Sequence, residues 1–156
     1  MALRTIRTEG DEVLKTVCKQ VTVVDDHVRE ILDDMTETMR AADGVGLAAP
    51  QIGIRRRIVV VEVDDQLYEL INPVITAREG EQYGSEGCLS VPGYVGDVSR
   101  PMTVTVKALD RNGNEQEYTG TGLLARAFCH ELDHLEGILY TSKADNLSRL
   151  GEDEEE

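Results

Sequence analysis

The chain has 156 residues, 40% hydrophobic and 29% charged, which fits one globular domain. No uninterrupted apolar run approaches the roughly 20 residues of a membrane span, and Met1-Ala2-Leu3-Arg4-Thr5-Ile6-Arg7-Thr8-Glu9 has no apolar signal core, so a cytoplasmic protein with no membrane partner is expected. The net charge of −14 repels phosphate backbones and argues against free nucleic-acid binding.

Asp25 and Asp26 can cap a helix running to about Met39 or Ala42, because Val28, Ile31, Leu32, Met35 and Met39 then share one face. Asp43-Gly44 ends it, with Gly44 suited to the left-handed C-terminal position. His27 reads as a surface or capping residue. Residues 57–63 predict a mostly buried strand, and residues 68–72 its hairpin partner across Asp64-Asp65-Gln66. Pro73 is expected to interrupt that strand before 74–76 resumes. Residues 102–108 alternate at Val104, Val106 and Ala108 as a further strand. Asn112-Gly113 is a hairpin signal, and 115–118 would return. A second helix is predicted from about 121 to 136, closed by Gly137. The acidic run Glu152-Asp153-Glu154-Glu155-Glu156 reads as a solvated, disordered tail after a domain spanning 1–150. There is no internal repeat, and the order of elements predicts an α+β single domain of antiparallel strands packed around a central helix.

Three cysteines, Cys18, Cys88 and Cys129, are too few and odd in number for a disulfide framework. The second helix carries His130-Glu131-Leu132-Asp133-His134. Two His at i and i+4 differ by about 40° around the axis and about 6 Å along it, so both can reach one ion with Glu131 beside it. Leu123, Ala127, His130 and His134 form one stripe, which suggests a lined pocket ending at a metal, although core packing explains Leu123 and Ala127 equally well. Glu136 falls on the wrong side of the helix to be the third ligand, and no His or Cys follows His134. The better candidate is Cys88 in Glu86-Gly87-Cys88-Leu89-Ser90, a thiolate flanked by a glycine that permits close approach. Cys18 and Cys129 read as packing residues.

A third segment, Gly44-Val45-Gly46-Leu47-Ala48-Ala49-Pro50-Gln51, completes a set. With Glu86-Gly87-Cys88-Leu89-Ser90 and His130-Glu131-Leu132-Asp133-His134, in that order, it resembles peptide deformylase, marked by G-x-G-x-A-A-x-Q, E-G-C-x-S and H-E-x-D-H. The resemblance runs from the first helix to about Tyr140. It implies removal of the N-formyl group from nascent peptides beginning with formyl-methionine, releasing formate. It also implies one divalent metal on Cys88, His130 and His134 with water in the fourth position. Iron(II) is the usual metal, and zinc, nickel or cobalt can replace it; the ligand set permits all of these. Glu131 would serve as general acid and base, and the Gln51 amide and Leu89 backbone N–H as oxyanion donors. Val45 and Gly46 would hold the substrate backbone. Leu123, Ala127, Glu86 and Gly87 would border the methionine pocket, and Arg100 would lie near the substrate. Some family members end in a long basic helix that docks on the ribosome; this chain ends in acids, which leaves at most a transient ribosome contact. A monomer is expected. The rivals are a metallopeptidase cutting internal peptide bonds and a non-catalytic domain that binds formylated peptides.

Overall fold

The structure, a computed structural model, describes residues 2–150, so the acidic run 152–156 lies outside the described residues. Helix α1 (Asp26–Ala41) begins where the Asp25 carboxylate accepts the Val28 N–H at 3.0 Å. At its other end Asp43, not Gly44, takes the left-handed conformation (φ 57°). Gly44 is required for space instead: a Cβ there would lie 2.7 Å from Leu89 Cδ1.

Strands β1 (Gly46–Ala48), β2 (Ile58–Val63) and β3 (Gln66–Glu79) pair antiparallel in sequence order. After them come β4 (Gln82–Cys88), β5 (Val91–Arg100), β6 (Thr103–Leu109), β7 (Glu115–Thr121), helix α2 (Leu123–Leu135) and β8 (Asp145–Arg149). One sheet has the order β1-β2-β3-β6-β7 and the other β4-β5-β8, all antiparallel. Among the described residues no helix is long and apolar enough to cross a membrane.

The uninterrupted apolar run of β2 has a physical reason: both its faces are covered. Val59 and Val61 pack with Phe128 and Leu132 of α2, while Ile58 and Val60 pack with Leu32 and Met35 of α1. The five-stranded sheet is therefore a layer between the two helices, with α2 against its inner face.

Two further expectations need correction. Pro73 does not break β3, because the pairing skips from Ile71–Leu109 to Val74–Lys107 and the residue without a donor sits in that irregularity. Asn72 there adopts φ 53° and its side chain binds both the Val21 N–H and the Val21 carbonyl. The second helix starts at Leu123 rather than 121, since β7 pairs as far as Thr121 and Gly122 turns the chain at φ 65°. The three-stranded sheet leaves no clear pattern in the sequence: β4 and β5 each carry two glycines, and β8 has no apolar alternation.

Candidate active site

Cys88 lies at the end of β4 and the two histidines one turn apart on α2. Cys88 Sγ is 3.3 Å from His134 Nε2, and the His130 and His134 ring centroids are 5.1 Å apart. One ligand atom from each of Cys88, His130 and His134 falls within 4.8 Å of the others. Both histidines are buried and Cys88 is half-buried, so sulfur and nitrogen donors converge where little water competes.

Glu86 and Cys88 are two residues apart at the end of β4, where the pairing with β5 is irregular, and both side chains reach α2, at His130 and His134. Glu86 Oε1 lies 2.5 Å from His130 Nδ1, which leaves Nε2 as the nitrogen for a ligand. The Glu86 carboxylate also accepts from Arg100 Nη2 at 2.6 Å and Arg126 Nη1 at 2.8 Å. Arg100 Nη1 reaches on to Asp133 Oδ2 at 2.7 Å. Burial pushes the Glu86 carboxyl up, but the His130 and Arg100 contacts outweigh it and hold the group at about 2.

The two histidines sit in opposed electrostatic surroundings. Burial, then the nearby His130 and Arg100, press His134 down to about 3, so its imidazole is neutral and keeps a lone pair. Burial also disfavours charge on His130, yet Glu131, Cys88 and Glu86 overcome it and raise the group to about 10. A cysteine sulfur and two imidazole nitrogens gathered in a buried site fit a divalent metal.

Glu131 is buried beside this centre, and its Oε1 has no hydrogen-bond partner among the described residues. Burial pushes its carboxyl up to about 7. Gly46 makes the room: a Cβ there would come 2.6 Å from Glu131 Oε2. Gln51 is almost fully enclosed; its Oε1 accepts from the Ala48 N–H at 2.9 Å, and its Nε2 donates to Ser90 Oγ at 3.0 Å. The same Nε2 lies 3.7 Å from Cys88 Sγ. These partners fix the amide beside the Cys88 sulfur.

A cavity of about 450 Å³ opens over the centre, with Gln51, Cys88, Leu89, His130 and Glu131 on its walls. Val45, Gly46, Glu86, Gly87, Leu123 and Ala127 also line it. Leu123 is exposed at the rim and Ala127 is buried deeper. Arg100, expected near the substrate, is buried behind the wall; its guanidinium is taken up by Glu86 and Asp133, and it does not line the cavity. His27 is exposed and makes no cap, which Asp25 supplies. Cys129 is in the core, as its position on the helix requires, and Glu136 pairs away from the site with Arg57 at 2.6 Å.

Sequence reasoning missed Arg126, Asp133 and Ser90 as supports of the site. A signal existed for Arg126: it lies four residues before His130 on one helical face.

Residues 3–150 match the family model described as polypeptide deformylase. The chain belongs to the peptide deformylase family. The peptide deformylase of Acetivibrio thermocellus is 54% identical over 156 residues, 100% of this chain and 91% of that protein. The peptide deformylase of Thermoanaerobacter pseudethanolicus is 56% identical over 156 residues, 100% of this chain and 97% of that one. Among solved structures, the peptide deformylase of Ehrlichia chaffeensis in complex with actinonin superposes with a TM-score of 0.91 at 38% identity, covering 94% of this chain and 91% of its own. As a peptide deformylase the chain is a hydrolase, and the family is one of metalloenzymes for which Cys88, His130 and His134 offer the site.

Proposed function

We propose that this enzyme removes the N-formyl group from N-terminal formyl-methionine of nascent peptides, with Cys88, His130 and His134 holding one iron(II) ion. The supporting observation is the convergence of those three donors within 4.8 Å beside a buried carboxylate. Zinc, nickel or cobalt would satisfy the same donors. When bound, the metal supplies Lewis acidity, lowering the pKa of water and polarising the formyl oxygen.

The chain's own groups do the rest. Glu131 takes the proton of the attacking water on its unpartnered Oε1 and delivers it to the departing amine nitrogen. Gln51 Nε2, already aimed along Cys88, and the Leu89 N–H donate to the oxygen that gains charge. β1 is an edge strand paired only to β2. Its other edge can take an extended peptide alongside Val45 and Gly46. Leu123, Ala127 and the Glu86-Gly87 segment then border the methionine side chain. Arg100 acts indirectly, by holding the Glu86 carboxylate that orients His130. The catalytic unit in this reading is residues 1–150.

The test is formate release from formyl-Met-Ala-Ser by metal-loaded enzyme, with peptide fragments followed by mass spectrometry. Formate with an intact peptide chain is expected. Internal cleavage would favour a metallopeptidase, and binding without turnover a non-catalytic domain.

A further inference from the structure

Among the described residues, five buried side-chain nitrogen or oxygen atoms lack a hydrogen-bond partner. Glu131 Oε1 and His134 Nδ1 belong to the site described above, and the Tyr140 hydroxyl belongs to a small apolar cluster. The other two, Thr36 Oγ1 and Glu37 Oε2, are neighbours on α1. Both residues line a second cavity, of about 280 Å³, which shares no lining residue with the catalytic one. Thr36 is only 7% exposed, and Glu37 is half-buried. The cations of this cavity are already committed. Arg111 donates to Glu69 at 2.8 and 2.6 Å and to Asp33 at 2.7 Å, while Arg40 forks onto Glu62 at 2.9 and 2.6 Å. The Glu37 carboxylate has no hydrogen bond or ion pair among the described residues. A buried carboxylate oxygen and a buried hydroxyl are costly until a donor reaches them.

We propose that this second cavity binds a linear aliphatic amine by its primary ammonium group. An ammonium carries three donors and no acceptor, so one such group can donate to Glu37 Oε2 and Thr36 Oγ1 together and neutralise the carboxylate. Thr36 and Glu37 follow Asp33, and precede Arg40, by three or four residues, which places all four on one side of α1. Across the cavity β3 presents Leu67 and Glu69. Leu67 gives a methylene chain an apolar wall, and the Asp33 and Glu69 carboxylates keep lone pairs beside Arg111 for a second ammonium group. A metal ion fits these walls less well. Two guanidinium groups share the space, and among the described residues only Cys88, His130 and His134 bring three ligand atoms within 4.8 Å of one another. The net charge of −14 favours an organic cation over an anion.

The experiment is isothermal titration calorimetry of the metal-loaded full chain with 1,4-diaminobutane at low salt, beside magnesium chloride and tetramethylammonium chloride. Saturable binding of a single diamine is expected. Glu37→Gln should weaken it roughly tenfold or more, and Thr36→Val about threefold. Both replacements keep the side chain's shape where it holds no partner, so thermal melts should show either variant folded, and each tests the site by itself. Tetramethylammonium, a cation without N–H donors, should not saturate the site. Diamine binding that both variants leave intact would be general attraction to an acidic surface and overturns the proposal, as does no binding at all. Magnesium binding in place of the diamine, lost in Glu37→Gln, would make this a metal site and overturns it too. Formate release is not the readout, so the result stands apart from the deformylase reading.

Discussion

Gly46 and Glu131 share one volume: an added methyl at position 46 would occupy the place of the Glu131 carboxylate, 2.6 Å from Oε2. Gly46→Ala should therefore displace the carboxylate. Because a misplacement of about 1 Å can cost on the order of 10²-fold, kcat for formate release should fall by that order while metal content stays near wild type. Steady-state kinetics alongside metal analysis checks both halves.

Glu131→Gln keeps the shape of the side chain and removes its ability to take a proton. The expected loss in kcat is roughly 10²-fold or more, with metal stoichiometry unchanged. Near wild-type turnover in a fully loaded variant would remove Glu131 from the proton path.

Cys88→Ser exchanges a soft thiolate for a hydroxyl that stays protonated at neutral pH. Iron retention after anaerobic purification should drop, and preference should move toward harder ions. Equal metal content and preference in the two proteins would mean that position 88 is not a ligand.

Glu86 neutralises two buried guanidinium groups and orients His130, with its own side chain about 5% exposed. Glu86→Gln leaves Arg100 and Arg126 short of charge and should destabilise the fold by about 3 kcal/mol. Asp133→Asn removes a partner that is 19% exposed and leaves Arg100 on Glu86; about 1 kcal/mol is expected. Urea unfolding of both variants gives the order directly.

Asp34 ties the N-terminal segment to α1, accepting from the Ala2 N–H at 2.7 Å and from Arg4 Nε at 2.8 Å. Burial raises its carboxyl, but these donors outweigh it and hold the group below the ordinary carboxylate value. A depressed folded-state pKa stabilises above the ordinary value of about 3.9 and is lost as pH falls through the lower folded one. The stability difference between wild type and Asp34→Asn should be flat from pH 5 to 8 and close in acid. Thermal melts from pH 8 down into acid measure it; a gap that widens in acid would contradict the sign.

How much could be read from the residues follows from which signals are local. The face Val28, Ile31, Leu32, Met35 and Met39 and the cap Asp25 are neighbours in sequence, so α1 was legible to within a residue or two. The two histidines were legible for the same reason, and Cys88 because a paired-His helix lacks a third donor. Glu86 was read as pocket border, and the structure adds its contact with His130, 44 residues away, which no spacing rule signals. Asn72 escaped similarly: its φ of 53° and its grip on Val21 arise from tertiary pairing that overrides the Pro73 signal. β8, with the sequence Asp-Asn-Leu-Ser-Arg, gains its strand form by pairing with β5 rather than from any intrinsic preference.

The donors for the ion come from two different sheets' neighbourhoods, sulfur from the tip of the three-stranded layer and nitrogen from the helix lying on the five-stranded one. An occupant of that position is consequently a rivet joining two halves of the molecule, and its binding energy adds to the resistance of the whole to heat. Loss of that occupant would then cost more than turnover, since the emptied molecule would also be the first to unravel.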